Sequence, residues 1–171
     1  MTHSEEQSSA YRPAPHPVRT VTVYVDADAT PRDALQTVDR EARAFGASVI
    51  TISSVNHQFD RPNHITVDPH PQAVDMEIVR RVRSGAPEIV VTQDYGLAAL
   101  VLGKGARALS PTGLVFDEEN IDRLLWERDL HARERRATGR SKGPKKRSEE
   151  DRERFAKAFT ALLQDLTKGG V

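Results

Sequence analysis

Strand-like runs alternate with helix-like segments along most of this chain, and that alternation constrains its fold more than any single motif. Residues 20–26 (Thr-Val-Thr-Val-Tyr-Val-Asp) alternate and are β-branched, which reads as a first strand; 48–53, 65–67, 88–92 and 106–109 read as further strands. Between them, apolar residues recur at helical spacing: Leu35, Val38, Ala42 and Phe45; Ile78, Val79 and Val82; Leu97, Leu100 and Val101; Ile121, Leu124 and Leu125. Thr30 is expected to cap the first helix, with Pro31 in its first turn, and Gly46 to end it. The second helix is expected over 73–84, stopped by Gly85, and Asp117 is expected to cap the helix after a short strand at 113–116. Strands feeding helices in this order predict an α/β fold, a mostly parallel sheet covered on both faces.

The 171 residues, 37% of them hydrophobic, suit one core. Residues 1–19 are polar and rich in Pro, Ser and His, and are expected to form a disordered arm. The α/β domain is expected over 20–131, a basic segment over 132–147 and a final helix over 148–171. The capping box Ser148-Glu-Glu-Asp151 opens that helix, whose Phe155, Phe159, Leu162 and Leu166 form one apolar stripe. Such a stripe must bury against the domain or against a second copy of the chain, making a homodimer. There is no cysteine, which excludes disulfides, thiolate metal sites and a cysteine nucleophile. No apolar run approaches the ~20 residues of a membrane span, and the first residues lack the features of a secretion signal. The expectation is a soluble, cytoplasmic protein with no membrane partner.

The 25 basic and 25 acidic residues cancel overall but are unevenly spread. Arg133, Arg135, Arg136, Arg140, Lys142, Lys145, Lys146 and Arg147 stand against a single acid, Glu134, within residues 133–147. Such a block attracts polyanions, or else is a solvated linker.

In parallel sheets, ligands gather at the carboxyl ends of the strands. Asp26 ends the first strand with Asp28 just beyond it, Asp94 follows the strand ending at Thr92, and Asp75 lies early in the intervening helix. Right-handed crossovers bring these positions to one edge. Carboxylates converging without a basic partner repel one another, and a hard cation such as Mg²⁺ relieves that repulsion. Two such ions could activate a water and stabilise the leaving oxygen of a phosphodiester. Each acid also has a structural reading. Asp26 and Asp28 suit a turn, Asp94 could cap the helix after it, and Asp75 could favour a helix dipole.

Asp26-Ala-Asp28-Ala-Thr-Pro31, Asp75-Met-Glu-Ile78, Val90-Val-Thr-Gln-Asp94, Leu97-Ala98, Gly103-Lys-Gly105, Ser110-Pro-Thr-Gly113 and Gly143-Pro144 occur in this order. Together they resemble the YaiI/YqxD family of bacterial proteins over residues 20–165, a family similar in turn to PIN-like nuclease domains. The resemblance implies a three-layer PIN-like fold and Mg²⁺ or Mn²⁺ held by Asp26, Asp75 and Asp94. It places Asp28 adjacent, with Thr92 or Asn56 as polar support. It also implies RNA rather than DNA as the nucleic-acid partner. The family usually carries Cys where this chain has Thr30, and many relatives carry an acid where it has Gln72.

Three functions compete. A metal-dependent ribonuclease would use the acids for hydrolysis and the basic stretch to hold the backbone in a salt-dependent way. A haloacid-dehalogenase-like phosphatase is suggested by Asp26-Ala-Asp28-Ala-Thr30, with Asp26 as nucleophile, Asp28 as acid/base, Thr51 on phosphate and Lys104 neutralising charge. A non-catalytic RNA- or protein-binding module would keep the fold and not the chemistry, and Gln72 speaks for it. His57, His64 and His70 have no metal-ligand spacing and read as surface-loop residues.

Overall fold

The computed structural model describes residues 19–55, 59–140, 143 and 145–169. Within them the chain forms β1 (Thr22–Asp26), α1 (Arg32–Phe45), β2 (Ser48–Ser54), β3 (His64–Val67), α2 (Ala73–Arg81), β4 (Glu88–Val91), α3 (Tyr95–Gly103), β5 (Arg107–Leu109), β6 (Val115–Phe116), α4 (Ile121–Thr138) and α5 (Glu149–Thr167). The strands make one sheet in the order β3-β2-β1-β4-β5-β6; β6 alone runs antiparallel. Helices α1 and α5 cover one face and α2, α3 and α4 the other, giving a three-layer α/β architecture.

Strand β1 is central because its β-branched residues are buried on both faces, the pattern a parallel interior strand needs. Val23 and Val25 pack with α1 and α5, while Tyr24 belongs to the opposite cluster. Side chains alternate along a strand, so Asp26 falls on the side of Tyr24, toward α2. Val91 and Val90 alternate in the same way on β4, which turns Thr92 toward that side as well.

Several local expectations change. Pro31, not Thr30, occupies the cap position of α1; the Thr30 hydroxyl donates back to the Asp26 carbonyl at 2.7 Å. Helix α2 ends at Arg81, short of Gly85, because the next turn is recruited elsewhere. The Arg83 backbone amide (2.8 Å) and Nε (3.2 Å) both donate to Glu88, which is 1% exposed at the start of β4. Asn120 stands at the start of α4, and Asp117 exchanges backbone-to-side-chain bonds with it at 2.8 and 3.0 Å. His64 is no loop residue: it sits in β3 with its ring between the Thr51 (2.7 Å) and Ser53 (2.9 Å) hydroxyls.

Helix α4 continues to Thr138 and ends at Gly139 in the left-handed conformation, so the expected change of segment at residue 132 falls inside a helix. The α5 stripe packs on α1 and the β1 face of its own chain, with Phe155 and Phe159 fully buried. Gly113 lets that helix approach: a Cβ there would lie 2.6 Å from the Arg154 and Phe155 backbone. No helix among the described residues is long and apolar enough to cross a membrane.

Candidate active site at the carboxyl edge of the sheet

Connections leave β1 toward β2 on one side, and the chain returns to β4 on the other. The crevice at this switch of direction is where open α/β sheets place ligands. Here it is a cleft of about 470 Å³ lined by Asp26, Asp28, Ser54, His70, Asp75, Gln93 and Asp94 among others.

Asp26 is only 7% exposed. Burial raises its proton affinity, the hydroxyl bond from Thr92 at 3.3 Å lowers it, and the charges of Asp28 and Asp94 raise it again; the carboxyl is pushed up to about 6. Asp75, in the first turn of α2, is pushed up to about 7 by burial, by the charges of Asp94 and Asp26, and by a hydrogen bond shared with Asp94. Asp94 also does the capping work its position suggests: it accepts the Leu97 amide at 3.0 Å at the start of α3. Thr92 links two acids, since its oxygen also accepts the Asp94 amide at 3.0 Å. No ion pair involves Asp26, Asp75 or Asp94 among the described residues.

Asp28 faces solvent and accepts the Ser54 amide at 2.9 Å, tying the turn after β1 to the end of β2. Asp26 and Asp28 therefore separate, one into the cleft and one onto its rim. Asn56 lies outside the described residues, as do His57 and Lys142. Gln72 precedes α2 and is exposed. Residues that sequence reasoning missed include Gln93, whose amide donates to the Ala29 carbonyl at 2.6 Å and so braces the turn carrying Asp28.

The phosphatase constellation does not assemble. Lys104 follows the far end of α3 from Asp94 and donates to the Val79 carbonyl at 2.6 Å, and the Thr51 hydroxyl is engaged by His64. Neither lines the cleft.

The basic run divides. Arg133, Arg135 and Arg136 are exposed on the last turns of α4, and Arg140, Lys145 and Lys146 are exposed beyond it. Arg147 is a structural residue with a side chain only 10% exposed. It pairs with Asp33, donates to the Pro111 carbonyl at 2.7 Å and lies over the Phe155 ring, 5.5 Å from its centre. Arg135 lines a groove that reaches Asp94, together with Arg128 and His131. Those two stand seven and four residues before it, one helical face, a spacing that was legible beside the basic block that drew attention.

Carboxylate oxygens are the donors a hard divalent cation takes, and the raised proton affinities of Asp26 and Asp75 come first from burial and then from the like charges beside them. As the side chains lie, however, no group of three acidic or imidazole residues among the described residues closes around one point as a metal site would.

Residues 24–165 match the model of the family described as "Uncharacterized BCR, YaiI/YqxD family". A UPF0178 protein of Heliobacterium modesticaldum is 45% identical over 141 residues, 82% of this chain and 95% of its own length. Another, from Clostridium tetani, is 44% identical over 148 residues, 85% and 99% of the two chains. A third, from Ruminiclostridium cellulolyticum, is 41% identical over 149 residues, 86% and 95%. No solved structure matches the chain. On a match that spans nearly every described element, the chain belongs to the YaiI/YqxD family.

Proposed function

We propose that this protein hydrolyses nucleic-acid phosphodiesters with the help of Mg²⁺ or Mn²⁺, RNA in preference to DNA. One observation carries the reading: Asp26, Asp75 and Asp94 are gathered at the sheet's switch point with no basic side chain paired to them among the described residues. A chain gains no stability from gathering a half-buried and an exposed acid around a buried one, so a cluster of this kind makes sense as a cation site. Asp26, Asp75 and Asp94 would hold the ion, which when bound would activate a water and neutralise charge on the phosphate. The chain's own residues prepare for it. Burial beside the Thr92 hydroxyl fixes Asp26, the backbone of α3 fixes Asp94, and the bond between Asp75 and Asp94 marks where a proton would be exchanged for the ion. The preference for RNA rests on family resemblance.

The test is incubation of labelled RNA, single-stranded DNA and a generic phosphomonoester with Mg²⁺, Mn²⁺ or EDTA. Metal-dependent RNA cleavage should fall at least ~100-fold in Asp26→Asn, the loss typical of removing a group that stabilises the transition state. Cleavage that survives this substitution unchanged would overturn the proposal. Tight RNA binding without turnover would select the second reading, a non-catalytic module, which the open arrangement of the three acids favours.

A further inference from the structure

We propose that the groove between α2 and α3 is a subsite for one unpaired base of a single-stranded nucleic acid. The inference rests on the nucleic-acid reading of the adjoining cleft and assigns that substrate a place to lay its base. The groove encloses about 600 Å³, and its inner end is formed by Asp75 and Asp94 of the cleft itself. It is therefore one nucleotide's reach from the acids, not a separate surface.

Its walls have two kinds of chemistry. Met76 on α2 and Leu100 on α3 face it and are 64% and 58% exposed, against a core in which most large apolar side chains are buried. Two adjacent turns thus present aliphatic surface to solvent at the mouth of a charged cleft, an arrangement that marks a binding surface. Around this apolar slot stand arginines. Arg80 is held by Glu77 at 2.7 Å, whereas Arg128 makes only long contacts of 3.4 Å to its neighbour Asp129. Arg128 also lines the next groove with Arg135, beside Glu127 and His131, so two guanidinium groups stand along this side of α4.

Gly96 adds no side chain to this passage. A Cβ at that position would lie 3.1 Å from an Asp94 carboxylate oxygen and 3.7 Å from the Arg128 guanidinium. An alanine there would touch the arginine and press on the acid by a few tenths of an ångström, narrowing the space between them. A slot with aliphatic walls, a cation at its rim and an acid site at its inner end complements a flat, weakly polar body joined to an anionic group. A nucleotide has that form. A base paired in a duplex cannot turn into the slot, whereas an unpaired base can, as single-strand binding sites require.

The experiment is fluorescence anisotropy with an eight-nucleotide single-stranded RNA in EDTA at low salt, so that binding is read without cleavage. A series with one abasic site at each position in turn is compared with the intact strand, its duplex and free mononucleotides. With the wild type, one abasic position should weaken binding roughly fivefold or more, the loss expected when one apolar contact surface goes unfilled. Leu100→Ser should bind the intact strand about as weakly as the wild type binds that abasic strand, and should no longer distinguish the two. Arg128→Ala should weaken all strands and lower the salt slope by about 0.7. Trp126→Ala, at an exposed apolar side chain outside this groove, is the control and should bind as the wild type does.

Equal binding of intact and abasic strands by the wild type would overturn the subsite, as would equal discrimination by Leu100→Ser, or no binding of any strand. Base-dependent binding without metal-dependent cleavage would remove the nuclease and keep the subsite. Cleavage indifferent to abasic position and to Leu100→Ser would do the reverse.

Discussion

The two ends of the same sheet each bury a carboxylate, and they treat it in opposite ways. At the amino end, Glu88 is deeply buried and satisfied: the Arg83 amide and guanidinium both reach it, with the Tyr24 hydroxyl at 3.5 Å. At the carboxyl end, Asp26 is nearly as buried but receives only a long hydroxyl bond from Thr92 and the Ala29 backbone amide, no cation, and faces two further acids. The difference separates a structural acid from a candidate functional one. Burial is common to both, so it is the partner set that identifies the site.

The sharpest way to break this comparison is at Glu88. Glu88→Ala strips the Arg83 turn of its acceptor and leaves a cavity at the start of β4, and should cost about 2–4 kcal/mol in chemical denaturation. If the loss is below 1 kcal/mol, the amino end is not the anchored one.

Asp26 should behave in reverse. Its folded proton affinity is raised from 3.8 to about 6, so the native state holds its proton more tightly than the unfolded chain does. The associated stability is fully present below pH 4 and is lost as pH rises through about 6. Asp26→Asn removes that loss and should gain about 1–3 kcal/mol at pH 8 while changing little at pH 4. A variant destabilised at pH 8 would place Asp26 with Glu88 as a structural acid. Asp75, raised to about 7, has the same sign over a window reaching about one pH unit higher.

The third measurement adds the ion. Because a cation must displace protons, the Tm increase given by a fixed concentration of Mn²⁺ should grow between pH 5.5 and 7.5 and then level. In Asp26→Asn most of it should disappear. A pH-independent increase that the variant retains would mean the ion binds somewhere else. The smallest effect belongs to Thr92→Val, which removes the hydroxyl joining Asp26 to the Asp94 amide. It should cost about 1 kcal/mol and shift the Asp26 titration further upward, read by NMR of the carboxyl carbon.

Much of this organisation was legible in the sequence, for reasons that can be named. Strand alternation located Asp26 because period-two burial is a local property. The Ser148–Asp151 capping box and Gly46 are local signals too, and both appear as read. What escaped depended on how distant parts pack. Nothing in the sequence distinguishes Arg147 from its basic neighbours until α1 brings Asp33 and α5 brings Phe155 against it. Nor does a change from apolar to charged composition end α4 at residue 131, since Arg, Glu and Ala all propagate helices. Thr30 had the composition of a cap, but the hydroxyl found the Asp26 carbonyl first. For the candidate site, the acids could be placed on one edge in advance and Arg128 and Arg135 on one helical face; the division of labour between Asp26 and Asp28, and the approach of that face to Asp94, could not.

Asp26 belongs to a strand flanked on both sides by parallel neighbours, whereas Asp75 and Asp94 sit at the first turns of two helices. Helix ends fray at far lower free energy than a central strand parts from its sheet. In native-state hydrogen exchange the amides of β1 should open only with the whole domain, while those beginning α2 and α3 exchange through local fluctuations. One side of the cleft is thus anchored in the sheet and the other in two helix starts, so the two sides differ in the free energy at which their backbone opens.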